Sequence, residues 1–239
     1  TNGTAVLGLG DIGPEASKPV MEGKALLFKI FADIDVFDIE VDTKDIDAFI
    51  ETVKNIAPTF GGINLEDIKA PESFEIERRL VEELNIPVMH DDQHGTAIIS
   101  SAALLNALEL ADKKIEDVKL VVSGAGSAAL ACANLYVLLG IKPENIVMFD
   151  KDGVLSEDRT DLSELQKRYS KGRKGITLQE SLVNADVFLG LSAGNILTSE
   201  MLLGMAKDPI VFAMANPTPE IDYNVAIATR EDIIMATGR

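Results

Sequence analysis

The chain has 239 residues, 22 Lys+Arg against 39 Asp+Glu and a net charge of −17, enough length for one large or two modest domains with a core. That charge argues against nucleic acid and anionic membrane surfaces as partners, and the densest basic stretch, KRYSKGRKG at 167–175, reads as a solvated loop. A single cysteine, Cys132, excludes an internal disulfide and suits a reducing setting, cytoplasmic or organellar, while no apolar run approaches the roughly 18 residues of a membrane span.

An anionic small substrate would need a metal ion or local cations to be held by so acidic a protein. The chain opens without Met on TNGTAVLGLG and closes on DIIMATGR. Both ends are expected to be cuts through a longer protein, with part of the active site outside this region.

Strands are expected at 4–9, 35–41, 60–66, 86–90, 118–123, 146–149, 186–191, 210–215 and 232–236, with amphipathic helical patterns between them. This alternation, with strands that lack a polar face, predicts an α/β protein with parallel sheets. The first run leads into Gly8-Leu9-Gly10-Asp11-Ile12-Gly13, a literal G-x-G-x-x-G. Pro14 and Pro19 interrupt the next segment, and the next acidic strand end, Asp42, lies 29 residues beyond Gly13. The glycine run reads as a sharp turn at a sheet edge rather than a dinucleotide loop. Next comes Lys24, in EGKALLFKIFA. It is either a solvated helix lysine or, directed into a dry pocket, a base with a lowered pKa.

The strand over 60–66 ends on Glu66-Asp67, and after the helical PESFEIERRLVEEL the next strand ends on Asp91-Asp92. In a right-handed β-α-β unit both ends lie at one sheet edge. Adjacent strands would bring them within about 5 Å, and an intervening strand would roughly double that. Crowded carboxylates repel unless protons or a cation intervene, and an all-oxygen set selects Mg²⁺ or Mn²⁺ over zinc. The alternative is that Asp67 and Asp92 only cap the helices after them. His90 and His94 have the spacing of a zinc pair but straddle a strand-to-helix turn, where hydrogen-bonding histidines are expected.

A helix around 96–110 and the charged ADKKIED form a join to a second sheet. There VKLVVSGAG ends a strand on Gly124-Ala125-Gly126, SAALACANLYVLLG is a helix, and NIVMFD ends the next strand on Asp150. Gly124 allows the tight turn, Gly126 lets the backbone approach a pyrophosphate, and Ala129 stands at the third glycine position. Asp150, 21 residues past Ala129, is placed to accept from the adenosine ribose hydroxyls. Asp150 would repel the 2′-phosphate of NADP and so favours NAD, unless Lys151 swings across to offset it.

Taken together, TNGTAVLGLGDIGP with VMEGKALLFK, APTFGGINLEDI, IPVMHDDQHGTA and FAMANPTPE closely resemble the bacterial short-form NAD(P)-dependent malic enzymes, in the family's order over essentially the whole chain. The resemblance implies a C-terminal part of a malic domain over 1–93 and a Rossmann-type NAD(P)-binding domain over 94–239. It makes Glu66, Asp67 and Asp92 ligands of Mg²⁺ or Mn²⁺, and Lys24 the base on the malate 2-hydroxyl with Asp91 beside it. Gly124, Ala125, Gly126, Ser127 and Ala128 become the pyrophosphate loop, Asp150 the ribose acid, and Asn216 a partner near the nicotinamide. The implied reaction is oxidative decarboxylation of malate to pyruvate and carbon dioxide by a homo-oligomer.

Three departures stand out. The family's tyrosine acid belongs to an upstream segment, and Tyr136, Tyr169 and Tyr223 do not match it. A substrate-binding asparagine segment is expected after ATGR, and Ala5 stands where some eukaryotic-type relatives carry arginine. A phosphotransacetylase-like region is fused C-terminally in some relatives. The competing readings are a metal-assisted hydroxyacid dehydrogenase that does not decarboxylate, and a non-catalytic dinucleotide-sensing module.

Overall fold

The computed structural model describes residues 1–6 and 8–238, and its contacts divide the chain into two compact units, Thr1–Asp92 and Gln93–Arg239. The first contains α1 (Gly13–Ala32), α2 (Ile46–Ile56), β1 (Ile63–Leu65), α3 (Glu72–Glu83) and β2 (Val88–His90). At the start of α2, Asp45 Oδ1 accepts from Ala48 N at 2.7 Å, satisfying an amide that the helix itself leaves open. Helical spacing then puts Phe49, Ile50 and Val53 on one face, where they form a core with Leu65, Ile68, Ile76 and Leu80. β1 and β2 are parallel neighbours, paired Ile63 with Val88, Asn64 with Met89 and Leu65 with His90. The two acid pairs therefore leave adjacent strands.

Two expected strands of this unit are not strands. Within 4–9, where residue 7 lies outside the described residues, only an isolated bridge joins Val6 to Gly10. Gly8 and Gly10 take φ of +75° and +76°, and this left-handed backbone folds the chain into a tight turn before a ladder can start. The run 35–41 is extended, but its long-range backbone bonds go to Thr1: Val41 N donates to Thr1 O, and the Thr1 amino group donates to Ile39 O. Its alternation of apolar and acidic residues lines a cavity instead of joining a sheet. Nor do the prolines break the segment after Gly13. Pro14 sits in the first turn of α1, where no amide is needed, and the helix runs on through Pro19.

Spanning the boundary is α4 (Asp91–Leu110), whose first two residues close the first unit. The second unit continues with β3 (Leu120–Ser123), α5 (Ser127–Leu139), β4 (Ile146–Asp150), β5 (Gly153–Val154), α6 (Glu164–Lys167) and α7 (Leu178–Leu182). It ends with β6 (Val187–Gly190), α8 (Ser199–Leu203), β7 (Ile210–Ala213), α9 (Tyr223–Thr229) and β8 (Ile234–Thr237). The sheet order is β5-β4-β3-β6-β7-β8, parallel except for the β4–β5 hairpin. Leu120 and Val122 face one buried layer with Leu104, Ala129 and Tyr136, while Val121 faces the other with Leu182, Phe188 and Leu202. Burial of both faces explains why the strands read as unbroken apolar runs. The strand order reverses between β3 and β6, and open α/β sheets hold ligands in the crevice at such a switch point. No helix among the described residues is long and apolar enough to cross a membrane.

Candidate active site

The carboxyl ends of β1 and β2 place oxygens of Glu66, Asp67 and Asp92 all within 4.8 Å of one another. Asp67, in left-handed backbone with φ +54°, donates its N–H to Asp92 Oδ2 at 3.0 Å. Its carbonyl accepts from Thr4 and Ala5 N at 3.1 Å, so the segment leading into the first glycine-rich loop ties down the acid edge. Neither Asp67 nor Asp92 serves as a helix cap. The N-cap of α3 is Pro71, and Asp92 lies inside the first turn of α4. Lys24 leaves α1 to reach Asp91 Oδ2 at 2.7 Å and Glu66 Oε1 at 3.2 Å. Asn64 donates to the other oxygen, Glu66 Oε2, at 2.8 Å. Lys24 and Glu66 also line a cavity of about 500 Å³ whose wall is otherwise largely apolar, including Phe28, Phe37 and Phe60.

Burial pushes the Glu66 carboxyl up to about 7, against the pull of Lys24. Burial, then repulsion from Glu66, raises Asp67 to about 6; burial and the charge of Asp67 raise Asp92 to about 6. Two buried carboxyls and a half-buried third that resist ionising together, offering only oxygen, fit a hard divalent cation. Lys24 matches neither of the two sequence alternatives in full. Its burial acts to lower the pKa, but the hydrogen bond to Asp91 and the charge of Glu66 outweigh it, and the net shift is upward. His90 is buried and His94 exposed. Among the described residues, no cluster of three ligating side chains includes either histidine.

In the second unit, Gly124 closes β3 with φ +119°, and a Cβ there would stand 2.5 Å from Leu191 O. Gly126 is the N-cap of α5 with no side-chain cap, and a Cβ on it would meet nothing within 4 Å. The first amides of α5, from Ser127 and Ala128 onward, are thus set beside open space at a positive helix end. We expect Gly124→Ala to cost about 1–3 kcal/mol through backbone strain alone, lowering Tm and dinucleotide affinity together. An unchanged Tm on thermal melting would show that the β3 turn tolerates a side chain.

Asp150, at the end of β4, holds both its oxygens against Arg159, Oδ1 to Nη1 and Oδ2 to Nη2, each at 2.8 Å. Burial works to raise the Asp150 carboxyl, but Arg159 overcomes it and the net shift is downward. Arg159 also donates to both oxygens of Asp161 and to Val154 O. Lys151 is 91% exposed and lies nearest Asp152, as a solvated loop lysine would. Asn216 follows the end of β7, with Nδ2 3.5 Å from Met214 O. Tyr136 and Tyr169 are packed in the core, and Tyr223 is half exposed at the start of α9.

Sequence reasoning missed Arg159 and Glu220. Arg159, nine residues past Asp150 in a loop rich in acids, offered a weak signal: a second cation, besides Lys151, near the proposed ribose acid. Glu220 ends the NPTPE stretch and offered none, because nothing local shows that this glutamate is fully buried.

Residues 1–81 match the family profile "Malic enzyme, N-terminal domain", and residues 93–239 match "Malic enzyme, NAD binding domain". The chain belongs to the malic enzyme family. Among malic enzymes, it is 58% identical to an NAD-dependent malic enzyme of Rhizobium meliloti, aligned over all of this chain and 31% of that protein. It is 54% identical to an NADP-dependent malic enzyme of Halomonas elongata, again over all of this chain and 57% of the relative. The crystal structure of the NAD-dependent malic enzyme from Thermotoga maritima superposes with a TM-score of 0.93 at 49% identity, covering 100% of this chain and 64% of that one. The chain thus spans between about a third and just over half the length of these curated relatives.

Proposed function

We propose that the protein catalyses oxidative decarboxylation of malate to pyruvate and carbon dioxide, reducing NAD(P)⁺ and depending on Mg²⁺ or Mn²⁺. Residues 1–93 serve substrate and metal, and residues 94–239 serve the dinucleotide. The observation that carries this reading is Lys24 bonded to Asp91 and Glu66 at the rim of the Glu66–Asp67–Asp92 cluster.

The cation held by those three carboxylates would act as a Lewis acid toward the substrate carboxylate and C2 oxygen. The nicotinamide would accept the hydride from C2. The chain's own residues handle the proton. Lys24 rests as an ammonium because of Asp91 and Glu66. Its extra proton has a receiver in Asp91, 2.7 Å away, once substrate fills the site and Glu66 turns its charge to the cation. Neutral Lys24 then takes the proton of the C2 hydroxyl. Asn64 keeps Glu66 aligned from the opposite side.

Cofactor choice rests on the Asp150–Arg159–Asp161 group. All five N–H donors of Arg159 are already directed at Asp150, Asp161 and Val154 O. None is left for a 2′-phosphate, and the group carries one net negative charge. A ribose hydroxyl needs only an acceptor there, which favours NAD. We expect Asp150→Ser to shift the ratio of kcat/KM for NADP over NAD upward by about tenfold, the equivalent of about 1.4 kcal/mol. A wild-type protein that already prefers NADP tenfold would overturn the assignment. The fully buried Cys132 accords with a cytoplasmic location, and a homo-oligomer is the proposed assembly.

The test is product analysis with the full-length protein, malate, Mn²⁺ and either cofactor. Equimolar pyruvate, carbon dioxide and reduced nicotinamide are expected. Oxaloacetate in place of pyruvate would establish a dehydrogenase without decarboxylation, and cofactor binding without turnover would establish a sensing module.

A further inference from the structure

Glu220 lies beyond β7 with no exposed surface, and among the described residues its recorded partners are backbone N–H groups. Its carboxylate spans two strand ends: Oε1 accepts from Ser192 N at 3.1 Å, and Oε2 accepts from Ala215 N at 3.0 Å. These amides follow β6 and β7, past the last ladder bonds, where the sheet itself supplies no acceptor. The seat for the carboxylate is Gly190, the last residue of β6, where a Cβ would collide with the Glu220 carboxyl group. The backbone on either side joins the same two loops, with Leu197 N donating to Glu220 O and Asn195 N to Pro219 O. Ser192 then passes the connection to β3, its Oγ lying 2.9 Å from Ser123 Oγ.

We propose that Glu220 is a positioning residue that sets the β6 and β7 loops, Leu191–Gly194 and Ala215–Asn216, to receive the nicotinamide half of the dinucleotide. The proposal rests on reading this sheet edge as a dinucleotide site. The adenine half has its own fixtures, the Gly124–Gly126 turn after β3 and Asp150 after β4, and Glu220 makes no recorded bond to either. Both loops that Glu220 does bond lie on the other side of the switch point. Without its two acceptors, the Ser192 and Ala215 amides lose their partners, Ala215 in a buried position, and the loops must move to find new ones.

The experiment compares NAD with ADP-ribose, which lacks only the nicotinamide, by calorimetry on the full chain. In Glu220→Gln, an isostere that turns amide hydrogens toward one of the two N–H groups, the Kd for NAD should rise by about tenfold or more, while that for ADP-ribose stays within about twofold. Glu220→Asp, one methylene shorter and able to keep one bond, should fold even if the amide variant does not, and should show an intermediate loss confined to NAD. Equal weakening of both ligands, or a lower Tm with neither Kd changed, would make Glu220 a structural staple only and overturn the proposal. A wild-type chain that binds neither ligand would refute the dinucleotide reading itself, and this assignment with it.

Discussion

Lys24→Ala in the full-length protein should lower kcat by about 10²- to 10⁴-fold, the usual consequence of losing a positioned base, with dinucleotide affinity essentially unchanged. The size follows from the geometry. Nζ is the cationic group that touches both Asp91 and Glu66, so its removal takes away the proton acceptor together with the charge that moderates Glu66. Lys24→Arg should not rescue, because a guanidinium does not give up its proton near neutrality. The measurement pairs steady-state kcat with a fluorescence titration of the reduced cofactor. A variant within about twofold of wild type in kcat would show that Lys24 is only a partner of its two carboxylates.

Removing one carboxylate from the cluster should have an effect of similar size on metal binding. Loss of a ligand's supporting partner commonly costs 10- to 100-fold in metal affinity, so loss of a ligand itself should cost at least about 100-fold. Asp92→Asn is the informative substitution. It removes the charge but keeps an oxygen for the Asp67 N–H, which Asp92 accepts at 3.0 Å, so the loop around Asp67 retains its tether. Without metal, the sign reverses. A carboxyl raised to about 6 when folded ionises less readily than when unfolded, so its ionisation above that pH opposes folding. Metal-free Asp92→Asn should therefore melt no lower than metal-free wild type, while the stabilisation that Mn²⁺ gives wild type disappears. Calorimetric titration with Mn²⁺ and melting curves with and without it check both halves. Undiminished affinity in a folded variant would remove Asp92 from the ligand set.

Much of this site is legible in the sequence, because its signals are local. Gly124 and Gly126 lie between a strand and a helix, and Asp150 ends the next strand. Each of these features depends on a few neighbouring residues, and Gly124, at φ +119°, takes a backbone conformation that glycine adopts cheaply. The paired acids after 63–65 and 88–90 are equally readable. Whether they meet depends on the two strands being neighbours, and the pairing of Leu65 with His90 shows that they are.

The misses share one cause. Residues 35–41 alternate as a strand should, but a strand exists only where another presents its backbone, and here the long-range bonds go to Thr1. Burial alone would lower the pKa of Lys24, one of the two readings its sequence position allowed, but carboxylates 42 and 67 positions further along the chain reverse the sign. The charge of Asp150 reads as free in the sequence, whereas Arg159 occupies both its oxygens. The sequence by itself determined the α/β alternation, the glycine turn with its acid, the buried faces of the helices and the kinship of the chain. Tertiary structure alone decided which charges neutralise one another, which amides Glu220 satisfies and which alternating run finds a ladder. Propensity and periodicity act over a few residues, whereas Coulomb energy, desolvation and strand pairing depend on distances that only the folded chain sets.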